Sequence, residues 1–241
     1  MRTVLAPLIV TLCTIGLFAQ DPVKTLPDSY SIQFENEWVR VIRVHYGPYG
    51  KLPAHTHNAL PAAYVYLNDG GPVRFKHIGT SYGAATRPAT KAGGVRVFRG
   101  IDEIHEVENT SELPSDFLRV EFKTDPKDVG TLKGKFYREL AEPGENLVKV
   151  QFENDQVRIS RIFCAPGRSV QFTTAPAEPS LLVAVTDARL RESGIEAAVR
   201  TGQERWLAAG TTLGVENVGP ASSEFLRFDF KTAPIPLITQ R

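Results

Sequence analysis

Gln33-Phe-Glu-Asn-Glu-Trp-Val-Arg-Val-Ile-Arg43 returns later in the chain as Gln151-Phe-Glu-Asn-Asp-Gln-Val-Arg-Ile-Ser-Arg161. Asp116-Phe-Leu-Arg-Val-Glu-Phe-Lys-Thr124 returns as Glu224-Phe-Leu-Arg-Phe-Asp-Phe-Lys-Thr232. Between those blocks, Val107-Glu-Asn109 is matched by Val215-Glu-Asn217. Three blocks repeated in the same order mean that one unit has been duplicated. Within each half, short β-branched and aromatic runs, such as 39–46, 63–67, 95–98 and 117–122, are separated by turn clusters such as Asn68-Asp-Gly-Gly71. Many strands at short spacing, with little helical periodicity, predict an all-β sandwich or barrel in each half.

The two halves do not match residue for residue. The first needs about nine extra residues between Gly50 and Gly94. The Gly-, Ser-, Thr- and Pro-rich run 77–94 is the expected place for them, read as one long loop. Residues 131–147 are read as a bridge with at most a short helix over 137–141. The expected organisation is therefore 1–20, 21–130, 131–147 and 148–241.

The opening twenty residues carry one Arg at position 2, an apolar run from Val4 to Phe18, and a polar continuation after Ala19. Those are the charge, apolar length and exit of a signal peptide. The run is short for a membrane span of ~20 residues. The mature protein is expected to be exported, to the periplasm or beyond, with no membrane segment. Cys13 lies in that segment, leaving Cys164 as the one cysteine after it. A single thiol makes no internal disulfide, and its apolar strand setting reads as a small buried side chain.

With 28 basic and 27 acidic residues, a formal charge of +1 and no block of like charge, the chain shows no footprint for nucleic acid or an anionic membrane. The informative residues are histidines. His55 and His57, in Gly50-Lys-Leu-Pro-Ala-His55-Thr-His57, sit at i and i+2 of an extended segment and share one side of a strand. His105, in Gly100-Ile-Asp-Glu-Ile-His105-Glu-Val-Glu-Asn109, would complete a face of three imidazoles from a neighbouring strand. Neutral imidazole is the commonest protein ligand for divalent transition metals. His45 and His77 lie outside this pattern. Glu103 shares the parity of His105, whereas Glu106 and Glu108 have the opposite parity.

These residues resemble the cupin family, whose first motif is G(X)5HXH(X)3–4E(X)6G and whose second is G(X)5PXG(X)2H(X)3N. Gly94, His105 and Asn109 fit the second spacing. His55 and His57 supply the paired histidines, with Gly50 one residue closer than the pattern has it. The resemblance covers about 30–124 and, through the repeat, about 148–232, and it implies a bicupin of two tandem jelly-roll β-barrels. It carries over His55, His57 and His105 as a metal set for Fe, Mn, Ni, Cu or Zn. The family's Glu ligand would fall at Pro61 or Ala62, which cannot bind metal, and Gly100 and Asp102 replace the usual Pro and Gly.

In the second half Phe172, Thr174 and Leu213 stand at the histidine positions. That half is read as a degenerate barrel with a structural or dimerisation role, and Glu178 as a solvated surface residue. Arg119-Val-Glu121 and Arg227-Phe-Asp229 recur in both halves, so they are read as a shared framework pair. Glu103 and Tyr64 are the candidates for acid–base work or a pocket wall. Beside a purely structural role acting through the protein's surface, two functions remain open: a three-histidine, dioxygenase-like enzyme acting on a small organic substrate, and a module that binds a small polar or carbohydrate-like ligand without turnover. In either, metal binding is expected to weaken in acid as the imidazoles protonate near ~6.5.

Overall fold

The computed structural model describes residues 21–57, 59–81, 83–138 and 144–236. The segment expected to be a signal peptide, and most of the helix expected over 137–141, lie outside the described residues. Among the described residues no helix is long and apolar enough to cross a membrane.

The first half contains β1 (Tyr30–Glu35), β2 (Val39–Tyr46), β3 (Lys51–His57), β4 (Ala62–Tyr66), β5 (Val73–Ile78), β6 (Ala84–Arg87), β7 (Val95–Phe98), β8 (Glu103–Asn109), β9 (Ser115–Phe122) and β10 (Lys133–Phe136). They form one sheet in the order β1-β2-β9-β4-β7-β10 and a second in the order β3-β8-β5-β6. The second half repeats the plan with β11 (Leu147–Glu153), β12 (Val157–Cys164), β13 (Ser169–Thr173), β14 (Ser180–Ala184), β15 (Ala188–Glu192), β16 (Ile195–Val199), β17 (Glu204–Leu207), β18 (Thr212–Asn217) and β19 (Ser223–Phe230). Its sheets run β11-β12-β19-β14-β17 and β13-β18-β15-β16, and all pairings are antiparallel. Two tandem jelly-roll barrels are therefore present, as the repeat requires.

Two expectations need correction. Residues 77–94 are not one loop, because Ala84–Arg87 forms β6 against β5. The extra length is instead spread over three connections, β4–β5, β5–β6 and β6–β7, each three residues longer than its counterpart in the second half. Small and hydroxyl side chains in 77–94 hid a short strand whose pairing comes from its hairpin partner rather than from its own propensity. Nor is 131–147 purely a bridge. Lys133–Phe136 pairs with Val95–Phe98 and extends the first sheet.

The larger sheets of the two barrels pack against each other. Val39, Val41, Leu118, Val120 and Phe122 join Val157, Ile159, Leu226, Phe228 and Phe230 in one buried cluster. On β9 the alternate residues, Phe117 first, face the interior of their own barrel. This strand is thus covered on both faces, which explains why 117–122 and 225–230 read as nearly continuous apolar runs. The two Asn of the repeat act as matched struts. Asn109 Nδ2 donates to Gly47 O at 2.9 Å and Leu113 O at 2.8 Å. Asn217 Nδ2 donates to Cys164 O and Ala221 O, each at 2.8 Å. Cys164 is wholly buried, and burial raises its thiol.

Candidate metal centre

A bulge on β3 aims the histidines. The β3–β8 ladder pairs Lys51 with Glu108 and Leu52 with Val107, then slips so that His55 faces His105 and His57 faces Glu103. One extra residue on β3 lets Leu52 and His55, three apart, both point into the barrel, which a regular period of two forbids. Pro53 sits in the bulge, where its missing N–H costs no ladder bond. Its carbonyl faces His55 Nδ1 at 2.9 Å.

The structure brings His55, His57 and His105 together. Their ring centroids lie 5.0 Å (His55–His57), 4.8 Å (His55–His105) and 5.3 Å (His57–His105) apart. One nitrogen from each falls within 4.8 Å of the others, and all three residues are buried. A carbonyl only accepts, so Nδ1 of His55 carries the hydrogen and its Nε2 lone pair points inward. Tyr30 donates its hydroxyl to that nitrogen at 2.9 Å. The same hydroxyl lies 2.9 Å from that of Tyr46. Burial raises both phenols, Tyr46 to about 12, so both keep their protons at neutral pH.

His105 is 3 % exposed, yet neither of its ring nitrogens has a hydrogen-bond partner. Its Nδ1 lies 3.4 Å from Glu103 Oε1, an ion-pair distance without hydrogen-bond alignment. Buried polar atoms in folded proteins are nearly always satisfied. An orphaned imidazole beside two others is the donor set that a transition metal satisfies, so these residues fit the group.

The electrostatics suit the same role. Burial, opposed by the Pro53 carbonyl and reinforced by His105 and Arg119, lowers His55 to about 4. Burial, then Arg119 and the other two histidines, pushes His57 well below the ordinary imidazole range. Both rings stay neutral, as ligands must. For His55 the acid limit expected from sequence moves down from ~6.5 to about 4. Glu103 is raised by burial, but His105 and then His77 outweigh this and hold it below its usual range.

Several residues at this site were not singled out by sequence. His77, read as outside the pattern, stands opposite His105 on β5. Its Nε2 lies 3.0 Å from Glu103 Oε2, and His77, Glu103 and His105 make a second cluster of metal-ligand type. Arg119, read only as framework, does pair with Glu121 at 2.8 Å, as Arg227 does with Asp229 at 2.6 Å. It also lines the histidine cavity, together with Arg87 and Arg96. The signal for Arg119 was its parity, shared with inward Phe117 and opposite to that of Leu118 and Val120. Tyr64, a weak candidate from sequence, is a wall of that cavity, with the guanidinium of Arg96 4.7 Å from its ring centroid and that of Arg119 5.7 Å away. His45 is half exposed and pairs with Asp116 at 2.8 Å, away from the cavity. Pro61 and Ala62 offer no ligand, and among the described residues no carboxylate joins the three-histidine group.

The cavity holds about 400 Å³. Among its described lining residues are Arg87, Arg96, Arg119 and Lys135 and one carboxylate, Glu103, with Arg119 also paired to Glu121.

In the second barrel, Phe172 faces Leu213 on the rung where His55 faces His105. Thr174 turns its hydroxyl to the carbonyls of Ala208 and Thr211. Glu178 joins a short bridge with Ala175 and does not line that barrel's cavity.

No protein-family model and no curated protein matches this sequence. Solved structures do match it. AerE from Microcystis aeruginosa superposes with a TM-score of 0.56 at 10% identity, over 84% of this chain and 97% of that one. Salicylate 1,2-dioxygenase from Pseudoaminobacter salicylatoxidans, solved with gentisate, gives 0.55 at 10% identity over 80% and 68%. A cupin 2 conserved barrel domain protein from Leptotrichia buccalis gives 0.52 at 13% identity over 84% and 88%. The chain has the cupin fold. Two barrels of that fold lie in tandem, the first bearing the three histidines and the second lacking them.

Proposed function

We propose that the first barrel is a metal-dependent centre in which His55, His57 and His105 hold a divalent transition metal and the surrounding arginines hold a small organic anion. The observation that carries this reading is His105, whose two buried ring nitrogens have no hydrogen-bond partner although two further imidazoles face it. A metal bound there would supply Lewis acidity or oxygen activation.

The protein's own groups prepare the site. Pro53 fixes the His55 tautomer that presents Nε2. Glu103 stands behind His105, its Oε1 3.4 Å from Nδ1, the usual place for a carboxylate behind a metal-ligating histidine. Arg96 and Arg119 flank the Tyr64 ring, and their planar forks suit a carboxylate. Aromatic walls from Tyr64, Phe75 and Phe117 favour a flat substrate. These features support an oxygenase acting on a small aromatic or other unsaturated acid. That one solved relative in fold is a salicylate dioxygenase puts phenolic acids first among substrates to try. We also propose export, on the strength of the apolar segment at 1–20.

The test is reconstitution of the mature protein with Fe(II), Mn(II), Ni(II), Cu(II) or Zn(II), followed by metal analysis. Oxygen uptake is then measured with phenolic acids, diketones, flavonols and thiols. One metal per chain in the wild type, lost in His105→Ala, and oxygen uptake with an acid are expected. No stoichiometric metal would remove the reading. Metal uptake with tight ligand binding and no turnover would leave a binding module in place of an enzyme.

A further inference from the structure

The second barrel also keeps a cavity, of about 370 Å³, and nothing in the metal reading uses it. Its walls come from Phe172, Leu182, Ala184, Leu213, Val215 and Phe225. Phe172 and Phe225 meet edge to face there, with centroids 5.9 Å apart. None of its lining residues has a buried polar side-chain atom without a hydrogen-bond partner. Of the charged residues at the rim, Arg205 holds both oxygens of Glu192, at 2.5 and 2.9 Å, and Glu204 is half-buried beside them. The walls inside the rim are apolar, so a guest's affinity has to come mainly from burial of apolar surface.

A second feature marks the same mouth. Ile195, on β16, lines the cavity yet is 74% exposed, the highest value among the exposed large apolar residues. The outer strand that carries it, Ile195–Val199, is exposed along most of its length and is hydrogen-bonded to β15 alone. An apolar side chain exposed at the lip of an apolar, concave chamber is what a bound apolar molecule would cover. The volume lies toward the small end of the range for ligand sites, about 300–1,000 Å³, and a chamber lined by Leu, Val and Phe suits an apolar guest.

We propose that the second barrel is a binding site for an uncharged apolar small molecule of up to three aromatic rings, separate from the histidine centre. It differs in chemistry from the first cavity, whose arginines call for an anion.

The test uses N-phenyl-1-naphthylamine, an uncharged fluorophore, titrated into the mature protein. Saturable binding at one site per chain is expected. Methyl chemical shifts in the unmodified protein should move at Leu182, Val199, Leu213 and Val215 and not at Val44 or Val107 of the first barrel. Ala184→Phe fills the chamber and Ala197→Trp blocks its lip from an exposed strand; each should weaken the probe by about tenfold or more, as overfilling a fixed space does. His105→Ala should leave binding unchanged. The proposal is overturned if the probe does not saturate, if His105→Ala abolishes binding, or if the perturbed methyls belong to the first barrel. It is also overturned if sedimentation shows that a second copy of the chain covers Ile195 and excludes the probe. Should Ala184→Phe fail to fold, Ala197→Trp and the methyl shifts still decide the matter.

Discussion

One rung of the same ladder reads His55–His105 in the first barrel and Phe172–Leu213 in the second. Around the first rung, buried polar atoms are left without hydrogen bonds: both nitrogens of His105, and Nε of Arg87 at the cavity wall. Around the second, the wall is mostly apolar and its one guanidinium, Arg205, is tied to Glu192. One scaffold thus carries two interiors. The β3 bulge contributes to the difference: the slip between Leu52 and His55 has no counterpart on β13, where Ser169 to Thr173 pairs with β18 in unbroken register. Polar atoms without partners are costly to bury, so the first barrel keeps a feature that folding alone would not select. The second has been relieved of it.

The largest expected effect sits outside both cavities and tests whether the halves are as alike in their framework as in their register. Glu224 is wholly buried against Arg161 and Arg138, and Arg161 also donates to Gly93 O of the first half at 2.6 Å. Its counterpart in the repeat, Asp116, is partly exposed and pairs with half-exposed His45. Glu224→Gln takes the carboxylate's charge away from a buried guanidinium and should cost about 3–5 kcal/mol. Asp116→Asn should cost less than about 1 kcal/mol. Denaturant unfolding of the two variants checks the asymmetry, and equal costs would break it.

Next in size is the response to acid. His55 takes its proton near ~6.5 in the unfolded chain but near 4 when folded, because burial disfavours the imidazolium. Between those values the unfolded state holds more protons, so stability is complete above the upper value and falls as pH falls toward the lower. The loss from this residue is roughly 3 kcal/mol. His57 acts in the same direction. His55→Phe, which writes the second barrel's residue into the first, should lessen the drop between pH 7 and 4.5 in metal-free protein. An unchanged slope would show that the drop lies elsewhere.

Glu103 comes third. Thr211 stands on its rung in the second barrel, beside Thr174 in place of His57. If Glu103 steadies His105, Glu103→Gln should lower metal affinity about 10–100-fold while the apo protein stays folded, as read by competition with a chelator. Unchanged affinity would reduce Glu103 to a partner of His77 alone.

Much of this contrast could be read before any coordinates. The matched blocks gave the tandem barrels, and the spacing of His55, His57 and His105 gave the rung, because strand parity is local and survives in sequence. What escaped were meetings between distant strands. Tyr30 begins β1, Arg96 lies on β7 and Arg119 on β9, and no local pattern says that they face one cavity. His77 was missed because its neighbour is set by the β5–β8 register, which hydrophobic alternation does not disclose for a half-polar strand such as Val73–Ile78. Strand β6 was missed because the pairing that makes it a strand comes from β5.

The smallest effect belongs to Tyr30, and its sign is the informative part. In the metal-free protein its hydroxyl occupies the lone pair of His55 Nε2 and lies within reach of Tyr46. Tyr30→Phe removes one buried hydrogen bond and should cost about 1 kcal/mol of apo stability. The same change clears the nitrogen that a metal must take. Metal affinity should then rise, by up to about fivefold for that energy, while stability falls. A merely structural tyrosine would move both quantities down together. A fall in affinity would instead make the Tyr30 oxygen part of the metal's surroundings, and the rung that separates the two barrels would then carry a phenol as well as imidazoles.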